Sequence, residues 1–293
     1  FASKYRLLRI SSRVVRAPRM DDRSLFRYGP DYAALAFTPK LDWSAWPGPL
    51  GGMLGAVEMC NNNGTCRKFD AGVMCPSYRV TRDETDVTRG RANTLRLALT
   101  GQLGREGLAG PEVADALKLC VSCKACRREC PTGVDMAKLK VEATAARVDR
   151  HGMSWRDRLV GGLPRYAPWA SRLPALANLR NHVPLLRRLG ERIGFAASRA
   201  LPEFRRDVFR DVEAGAPPAT RDVYLLADTF NRHFEPENLR AALRVLRAAG
   251  VRAVMPKAPG GNLCCGRTYL AAGQVDRARA EADRMLAALA GDL

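Results

Sequence analysis

The sequence predicts a mainly α-helical protein, in which a helical, cysteine-rich unit is followed by part of an α/β unit. Seven of the nine cysteines fall between Cys60 and Cys130, among segments whose leucines and alanines recur at helical spacing. From Asp222 onward, short apolar runs alternate with a helical pattern, which is typical of an α/β unit. We therefore predict four parts, at residues 1–50, 51–152, 153–218 and 219–293.

Composition sets broad limits on the protein. The chain has 293 residues, of which 46% are hydrophobic, which is ordinary for a globular protein of two domains. No apolar run approaches the ~20 residues that a membrane span needs, and no signal peptide is visible. Clustered cysteines favour bound metal in a reducing compartment over structural disulfides, so we expect a cytoplasmic location.

The formal net charge of +18 comes mainly from arginine. Such a charge often marks a nucleic-acid-binding protein. Here the arginines are spread along the whole chain and aromatic residues make up only 7% of it, so we expect no nucleic-acid partner. A scattered basic surface is more often solvated, or it docks acidic partners or anionic lipid, which would place the protein at the inner face of the cell membrane.

The most informative stretch runs from Cys120 to Pro131 and has the spacing C-x2-C-x2-C-x3-C-P. This spacing is typical of bacterial iron–sulfur proteins, because three thiolates on one loop can bind three irons of a cubane. Zinc usually takes two C-x2-C pairs with a longer spacer, and disulfide frameworks suit short secreted chains. We therefore predict a [4Fe–4S] site, with these cysteines as metal ligands: Cys120, Cys123, Cys126 and Cys130.

A second cysteine run is a degenerate copy of the first. Cys60, Gly64, Cys66 and Cys75-Pro76 match the corresponding positions, but Asn63 stands at the second cysteine position and the last spacer is eight residues long. In two-cluster proteins the cysteine before proline ligates the other run's cluster. By that logic Cys75 is the fourth ligand of the cluster bound by Cys120, Cys123 and Cys126.

The remaining thiols, Cys60, Cys66 and Cys130, would then form a poorer site that is one thiolate short. That site could hold a three-iron cluster, a cluster with a non-cysteine ligand, or nothing. The competing arrangement places one cluster on the four cysteines of the 120–131 run alone. In that case the thiols of the first run, Cys75 included, lie near the cluster or are free.

The cysteines are predicted to sit among helices. Leu95, Leu99 and Leu103 recur every four residues in a helix that starts near Thr88, and Pro111 is typical of the first position of a second helix. That second helix delivers Cys120 at its end, and a third runs from about residue 135 to 150. We therefore predict a helical two-cluster ferredoxin-like module, preceded at residues 1–50 by an extended connector.

Residues 153–218 are predicted to form a basic, helical connector broken by prolines. Aromatic and leucine side chains alternate there with arginines, from Trp155 to Arg180. One interpretation is a set of short helices packed on the cysteine-rich module. The other is a basic amphipathic surface that contacts a membrane or a partner protein.

The last part begins as a βαβ unit. Val223–Ala227 and Val251–Met255 are short apolar runs that flank a helix over Glu237–Ala249. Cys264-Cys265-Gly266 then opens a helix to the C-terminus. Thiols at a helix N-terminus have a lowered pKa, which suits a metal or redox site, although a pair of buried cysteines is the alternative.

These motifs carry a resemblance to a known family. The two cysteine runs, with Thr81–Glu84 and Thr88–Arg96 between them, resemble the C-terminal iron–sulfur half of bacterial FAD-linked D-2-hydroxyacid dehydrogenases, a group that includes D-2-hydroxyglutarate and D-lactate dehydrogenases. Arg16–Tyr32 resembles the join to the flavin half. Asp228–Pro236 and the Cys-Cys-Gly motif are similar to the first half of the cysteine-rich (CCG) domain of heterodisulfide reductases and glycolate oxidase iron–sulfur subunits.

The resemblance implies that a flavin- and substrate-binding domain precedes Phe1 and that the rest of the CCG domain follows Leu293. The chain would take electrons from FAD in the upstream domain and pass them, through one or two [4Fe–4S] clusters, to a carrier or quinone. It would hold no catalytic residue itself, and it would be part of a larger chain or a homo-oligomer. We expect Lys124, Arg127 and Arg128 to raise the cluster potential.

Two alternatives stay open. One is a heterodisulfide-reductase-like or glycolate-oxidase-like subunit in which Cys264 and Cys265 carry the chemistry. The other is a zinc-bound, non-catalytic scaffold with a basic docking face.

Overall fold

The computed structural model describes residues 22, 24, 32–47, 51–217, 221–257 and 260–290. Within these ranges the chain is mainly helical and contains one two-stranded parallel sheet, so the predicted fold class is confirmed. The segment Arg16–Tyr32, whose sequence resembles the join to a flavin domain, lies almost wholly outside the described residues. None of the helices in the described ranges has the length and apolar character needed to cross a membrane.

Six helices form the cysteine-rich unit: α1 Gly52–Glu58, α2 Pro76–Thr81, α3 Thr88–Leu99, α4 Pro111–Lys118, α5 Ala125–Glu129 and α6 Met136–His151. Short 3₁₀ turns at Thr65–Arg67, Glu84–Asp86 and Gly107–Ala109 connect them. The helix predicted from leucine spacing, the helix predicted from Pro111 and the helix predicted at about 135–150 are confirmed as α3, α4 and α6. Leu95 and Leu99 of α3 are fully buried, and α3 packs against α1, α4 and α6.

The segment 32–47 is extended, as predicted for the connector, and is tied to α6 by one buried carboxylate. Glu142 accepts hydrogen bonds from the backbone N–H of Lys40 at 2.5 Å, the backbone N–H of Leu41 at 3.0 Å and the indole N–H of Trp43 at 3.0 Å. The Trp43 ring is buried and lies 4.2 Å from the ammonium of Lys138. The connector is therefore a specific packing element of the cysteine-rich unit.

The basic region contains α7 Trp155–Ala170, α8 Pro174–Ala177, α9 Leu179–His182 and α10 Pro184–Glu191. One of the two interpretations expected these helices to pack on the cysteine-rich module. Instead, α7 packs mainly against two helices of the last part, α11 Thr229–His233 and α13 Arg267–Ala271. Gly161 is buried near this contact, where a Cβ would lie 2.8 Å from the Nε2 of Gln274 and 3.3 Å from the Cβ of Ala272.

In the last part, β1 Arg221–Tyr224 and β2 Val251–Val254 pair in parallel, and α12 Pro236–Ala248 connects them. This is the predicted βαβ unit. The prediction of a single helix after Gly266 is wrong, because the chain forms two helices there: α13 ends at Ala271, and α14 spans Val275–Ala290. The break contains Gly273, whose φ is 75° and where a Cβ would lie 2.9 Å from the Thr144 carbonyl oxygen of α6. The close approach to α6 explains why the helix is interrupted there.

Candidate metal centre

The 120–131 run wraps a loop between two helices. Cys120 follows α4, Cys126 lies in α5 and Cys130 comes directly after α5. Ser122 and Lys124, on either side of Cys123, have φ values of 54° and 61°. Left-handed backbone costs roughly 1–2 kcal/mol per residue without glycine, and such strain is concentrated at functional sites. Two such residues make the loop turn sharply around Cys123.

Four cysteines line one small cavity that is partly open to solvent. Three of them, Cys120, Cys123 and Cys126, come from the 120–131 run, and the fourth is Cys75. Cys130 is not among the lining residues described. The structure thus brings the set expected from cross-ligation to one cavity, and four thiols are the donors that a cubane requires.

Cys75 is held at this cavity by its own local structure. Its φ is 48°, and Pro76 then starts α2. The thiol receives a hydrogen bond from the backbone N–H of Thr88 at 3.1 Å, and its Sγ lies 3.0 Å from the Thr88 hydroxyl oxygen. Since hydrogen-bond donors near cluster sulfurs stabilise their negative charge, Thr88 suits a thiolate ligand.

Positive side chains lie at or near the same cavity. Arg91 and Lys124 line it, and the Nζ of Lys140 donates to the carbonyl oxygen of Cys120 at 2.5 Å. Arg91 is paired with Asp86 and Lys124 with Asp135, so Lys140 is the cation here that lacks a carboxylate among the described residues. A cluster held by four thiolates is anionic, so the residues present fit an iron–sulfur cluster.

The remaining cysteines of the two runs, Cys60, Cys66 and Cys130, form a second group. Cys60 lies just after the end of α1. Cys60 interacts electrostatically with Cys130, and Cys66 with both Cys60 and Cys75. Asn63 stands where the first run lacks its second cysteine, and its side chain is exposed. Its hydrogen bonds are local: the amide oxygen accepts the N–H of Thr65 at 2.9 Å and the amide nitrogen donates to the side chain of Asn61. The side chain of Asn63 is therefore a turn-forming group in this structure.

Burial controls the acidity of most of these thiols. It raises the pKa of Cys66 and of Cys126 to about 11, and it also raises the pKa of Cys60 and Cys75. At Cys130 burial also acts upward, but hydrogen bonds from Thr132 and its neighbours outweigh it and lower the pKa. Because iron binds thiolates, loading the buried sites must release protons.

Cys264 and Cys265 lie apart from both groups. Cys264 is buried, with its Sγ 3.4 Å from the backbone N–H of Gly266, while Cys265 is exposed. Gly266 starts α13, and a Cβ there would lie 2.7 Å from the Ala278 carbonyl oxygen. In the part of the chain that is described, no three histidine, cysteine or carboxylate side chains lie close enough together to hold a single metal ion, either here or at the two cysteine runs. A cubane presents a separate iron to each of its four ligands, so its thiols need not meet at one ion.

Comparison with known proteins decides the nature of the cysteine-rich unit. Residues 56–134 match the family model described as "4Fe-4S dicluster domain". The predicted [4Fe–4S] cofactor is therefore confirmed, and the matched residues contain both cysteine runs.

Beyond the dicluster domain, the chain is similar to curated D-2-hydroxyglutarate dehydrogenases. It is 26% identical to the protein of Escherichia coli (strain K12) over 71% of this chain, and 25% identical to that of Pseudomonas putida (strain KT2440) over 66%. It spans about a quarter of the length of these relatives, 25% and 24%. No solved structure matches the chain significantly. The resemblance of the iron–sulfur region to that of D-2-hydroxyglutarate dehydrogenases is confirmed.

Two features of the site were missed in the sequence. Glu129 accepts hydrogen bonds from the backbone N–H groups of Val73 and Met74, which connects the two cysteine runs. Lys140 donates to carbonyl oxygens next to Cys120. Each is a single charged residue in a helical segment, and the sequence contains no signal that distinguishes it from a solvated surface charge.

Proposed function

We propose that this chain is the electron-transfer part of a FAD-linked D-2-hydroxyacid dehydrogenase, with the dicluster domain as its functional unit. It takes electrons from a flavin bound in an upstream domain and passes them to a carrier or quinone. The observation that supports this most is the meeting of Cys75 with Cys120, Cys123 and Cys126 around one cavity. The similarity to D-2-hydroxyglutarate dehydrogenases supports the choice of reaction.

We propose that Cys75, Cys120, Cys123 and Cys126 hold the first cluster, and that Cys60, Cys66 and Cys130 hold a second, weaker one. The clusters, when bound, accept and donate single electrons. The protein binds and shields them: Cys75 and Cys126 are buried, whereas Cys123 is exposed. Electrons therefore enter or leave the first cluster most easily on the Cys123 side, where Val121 is 67% exposed and available for a partner.

Serine substitutions test this ligand set against a cluster held by the 120–131 run alone. We expect Cys75→Ser to abolish the electron paramagnetic resonance (EPR) signal of the first cluster and to lower iron content by about four per chain. Cys130→Ser should leave that signal intact. The opposite pattern would assign the cluster to the four cysteines of one run. A wild-type chain that is colourless and binds zinc instead of iron would overturn the electron-transfer function itself.

We also propose that the electron acceptor is reached at a membrane surface, through the outward face of α7. Trp155, Leu159, Tyr166 and Trp169 lie on one side of this helix, opposite the buried Gly161. Both tryptophans are 67% exposed. Residues 153–201 include nine arginines but only two carboxylates. Exposed aromatic rings beside a strong positive charge are typical of helices that lie in the interface of anionic membranes.

Vesicle sedimentation tests this contact. We expect the chain to sediment with vesicles that contain anionic lipid and to remain in solution with zwitterionic ones. Replacing Trp155 and Trp169 together with serine should weaken sedimentation at least tenfold. Leu286→Ser is the control, because Leu286 is 62% exposed but belongs to a different helix, α14. Equal sedimentation of both variants, or none by the wild type, would contradict the proposed contact.

A further inference from the structure

Two positive side chains hold the C-terminal end of α4, which leads into Cys120. The Nε of Arg91, on α3, donates to the carbonyl oxygen of Ala116 at 2.8 Å. The Nζ of Lys140, on α6, donates to the carbonyl oxygens of Leu117 at 2.9 Å and Cys120 at 2.5 Å. The last carbonyls of a helix have no partner within the helix, and cations stabilise them. The two side chains therefore fix the backbone that carries the Cys120 thiol.

The charges of these two side chains are balanced differently. The guanidinium of Arg91 lies 3.3 Å from the carboxylate of Asp86. Among the described residues, by contrast, Lys140 forms no ion pair with a carboxylate, and its hydrogen bonds go to neutral carbonyls. A partly buried ammonium without a carboxylate is unfavourable unless another anion lies close to it.

The cavity lined by the four thiols supplies that anion when a cluster is bound. We propose that Lys140 sets the reduction potential of the cluster held by Cys75, Cys120, Cys123 and Cys126, and that it positions Cys120. The inference rests on the proposed electron-transfer function. Each electron that enters makes a cluster more negative, so an unbalanced positive charge beside it favours the reduced state.

This assignment differs from the one made from the sequence, which selected Lys124, Arg127 and Arg128. The side chain of Lys124 is 58% exposed and lies 2.9 Å from the carboxylate of Asp135. Arg127 and Arg128 are also exposed. Solvent and a paired carboxylate both weaken the field of a surface charge. Lys124 lines the cavity, whereas Lys140 is held at the carbonyl oxygen of Cys120. Because Lys140 has neither an ion-pair partner among the described residues nor full exposure, we expect its charge to act on the cluster more strongly.

Redox titration of the iron-loaded chain, followed by EPR, tests the inference. In Lys140→Met we expect the ratio of reduced to oxidised first cluster, at a fixed potential, to fall at least tenfold. For one electron this is a shift of about 59 mV to lower potential. Lys138→Met is the matched control, because Lys138 lies on the same helix but its ammonium contacts the Trp43 ring and the Asp42 carbonyl. Its midpoint should equal that of the wild type.

Two further variants separate charge from position. Lys140→Arg keeps the charge and should stay within a few-fold of the wild-type ratio. Lys140→Gln keeps a donor for the carbonyls but removes the charge, so it should load iron and still titrate at lower potential. The inference is overturned if Lys140→Met or Lys140→Gln loads iron and titrates at the wild-type midpoint potential. It is also overturned if Lys140→Met, Lys140→Gln and Lys140→Arg all lose iron. Absence of iron from the wild-type chain would instead overturn the proposed function.

Discussion

Glu129 and Met74 join the two cysteine runs. The carboxylate of Glu129 accepts the backbone N–H of Met74 at 2.9 Å, and it also accepts the N–H of Val73 at 3.0 Å. Glu129 directly precedes Cys130, and Met74 directly precedes Cys75. The hydrogen bond from Val73, followed by that from Met74, lowers the pKa of Glu129 despite the opposing effect of burial. A single ionised side chain therefore fixes where Cys75 enters the other run's cavity.

Glu129→Ala should make the first cluster less stable, because Cys75 loses the anchor that holds it at the cavity. We expect the brown absorbance near ~400 nm to decay several-fold faster in air, with lower iron content after purification. Asp115→Ala is the control, since Asp115 is an exposed carboxylate on α4 of the same unit. Equal decay rates for wild type and Glu129→Ala would contradict this role.

The sequence predicted local elements well, because their signals are local. Leucine spacing and Pro111 gave α3 and α4, and the similarity between the two cysteine runs led to the expectation that Cys75 would join the other run. Charged anchors such as Glu129 and Lys140 were missed, since a lone charge in a helix has the same sequence signal whether it is solvated or buried. The break at Gly273 depends on α6, which is over a hundred residues away in the chain.

Gly90 of α3 should tolerate no side chain. A Cβ at this position would lie 1.9 Å from the carbonyl oxygen of Glu84, which is a backbone atom and cannot rotate away. We expect Gly90→Ala to lower the free energy of unfolding by about 2–3 kcal/mol, as overpacking in a core does. The measurement is chemical denaturation followed by circular dichroism.

Gly162→Ala is the matched control for that substitution. Gly162 also lies within a helix, α7, but a Cβ there would meet nothing within 4 Å. Since alanine favours helix more than glycine does, this variant should be stabilised by about 0.5–1 kcal/mol. Equal effects of the two substitutions would mean that the contact between α3 and Glu84 is not tight in solution.

Glu142 should be essential for packing of the connector. Glu142→Ala leaves the indole N–H of Trp43 and the backbone N–H groups of Lys40 and Leu41 without their acceptor. Each unsatisfied buried donor costs about 1–3 kcal/mol, so we expect the free energy of unfolding to fall by about 3 kcal/mol or more. Tryptophan fluorescence should report the greater exposure of Trp43. Asp149→Ala on the same helix, with its carboxylate 59% exposed, should change stability little.

His233 should make stability depend on pH. Its ring is 4% exposed, and its Nδ1 lies 3.0 Å from the hydroxyl oxygen of Ser171. Burial, and then the charge of Arg232, lowers the pKa of His233 from 6.5 to about 4. The unfolded chain therefore binds a proton near pH 6.5, whereas the folded chain binds it only near pH 4. The contribution of neutral His233 to the free energy of unfolding is therefore fully present above pH 6.5, and it is lost as the pH falls from 6.5 towards 4.

The lowered pKa of His233 corresponds to about 3 kcal/mol of stability across that window. Carboxylates also titrate there, so the wild-type profile alone does not isolate the histidine. In His233→Gln the free energy of unfolding should fall less steeply between pH 6.5 and 4 than in the wild type. His182→Gln should keep the wild-type slope, because the side chain of His182 is 68% exposed. Parallel slopes for wild type and His233→Gln would show that His233 is protonated equally in the folded and unfolded chain, which its burial beside Arg232 should prevent.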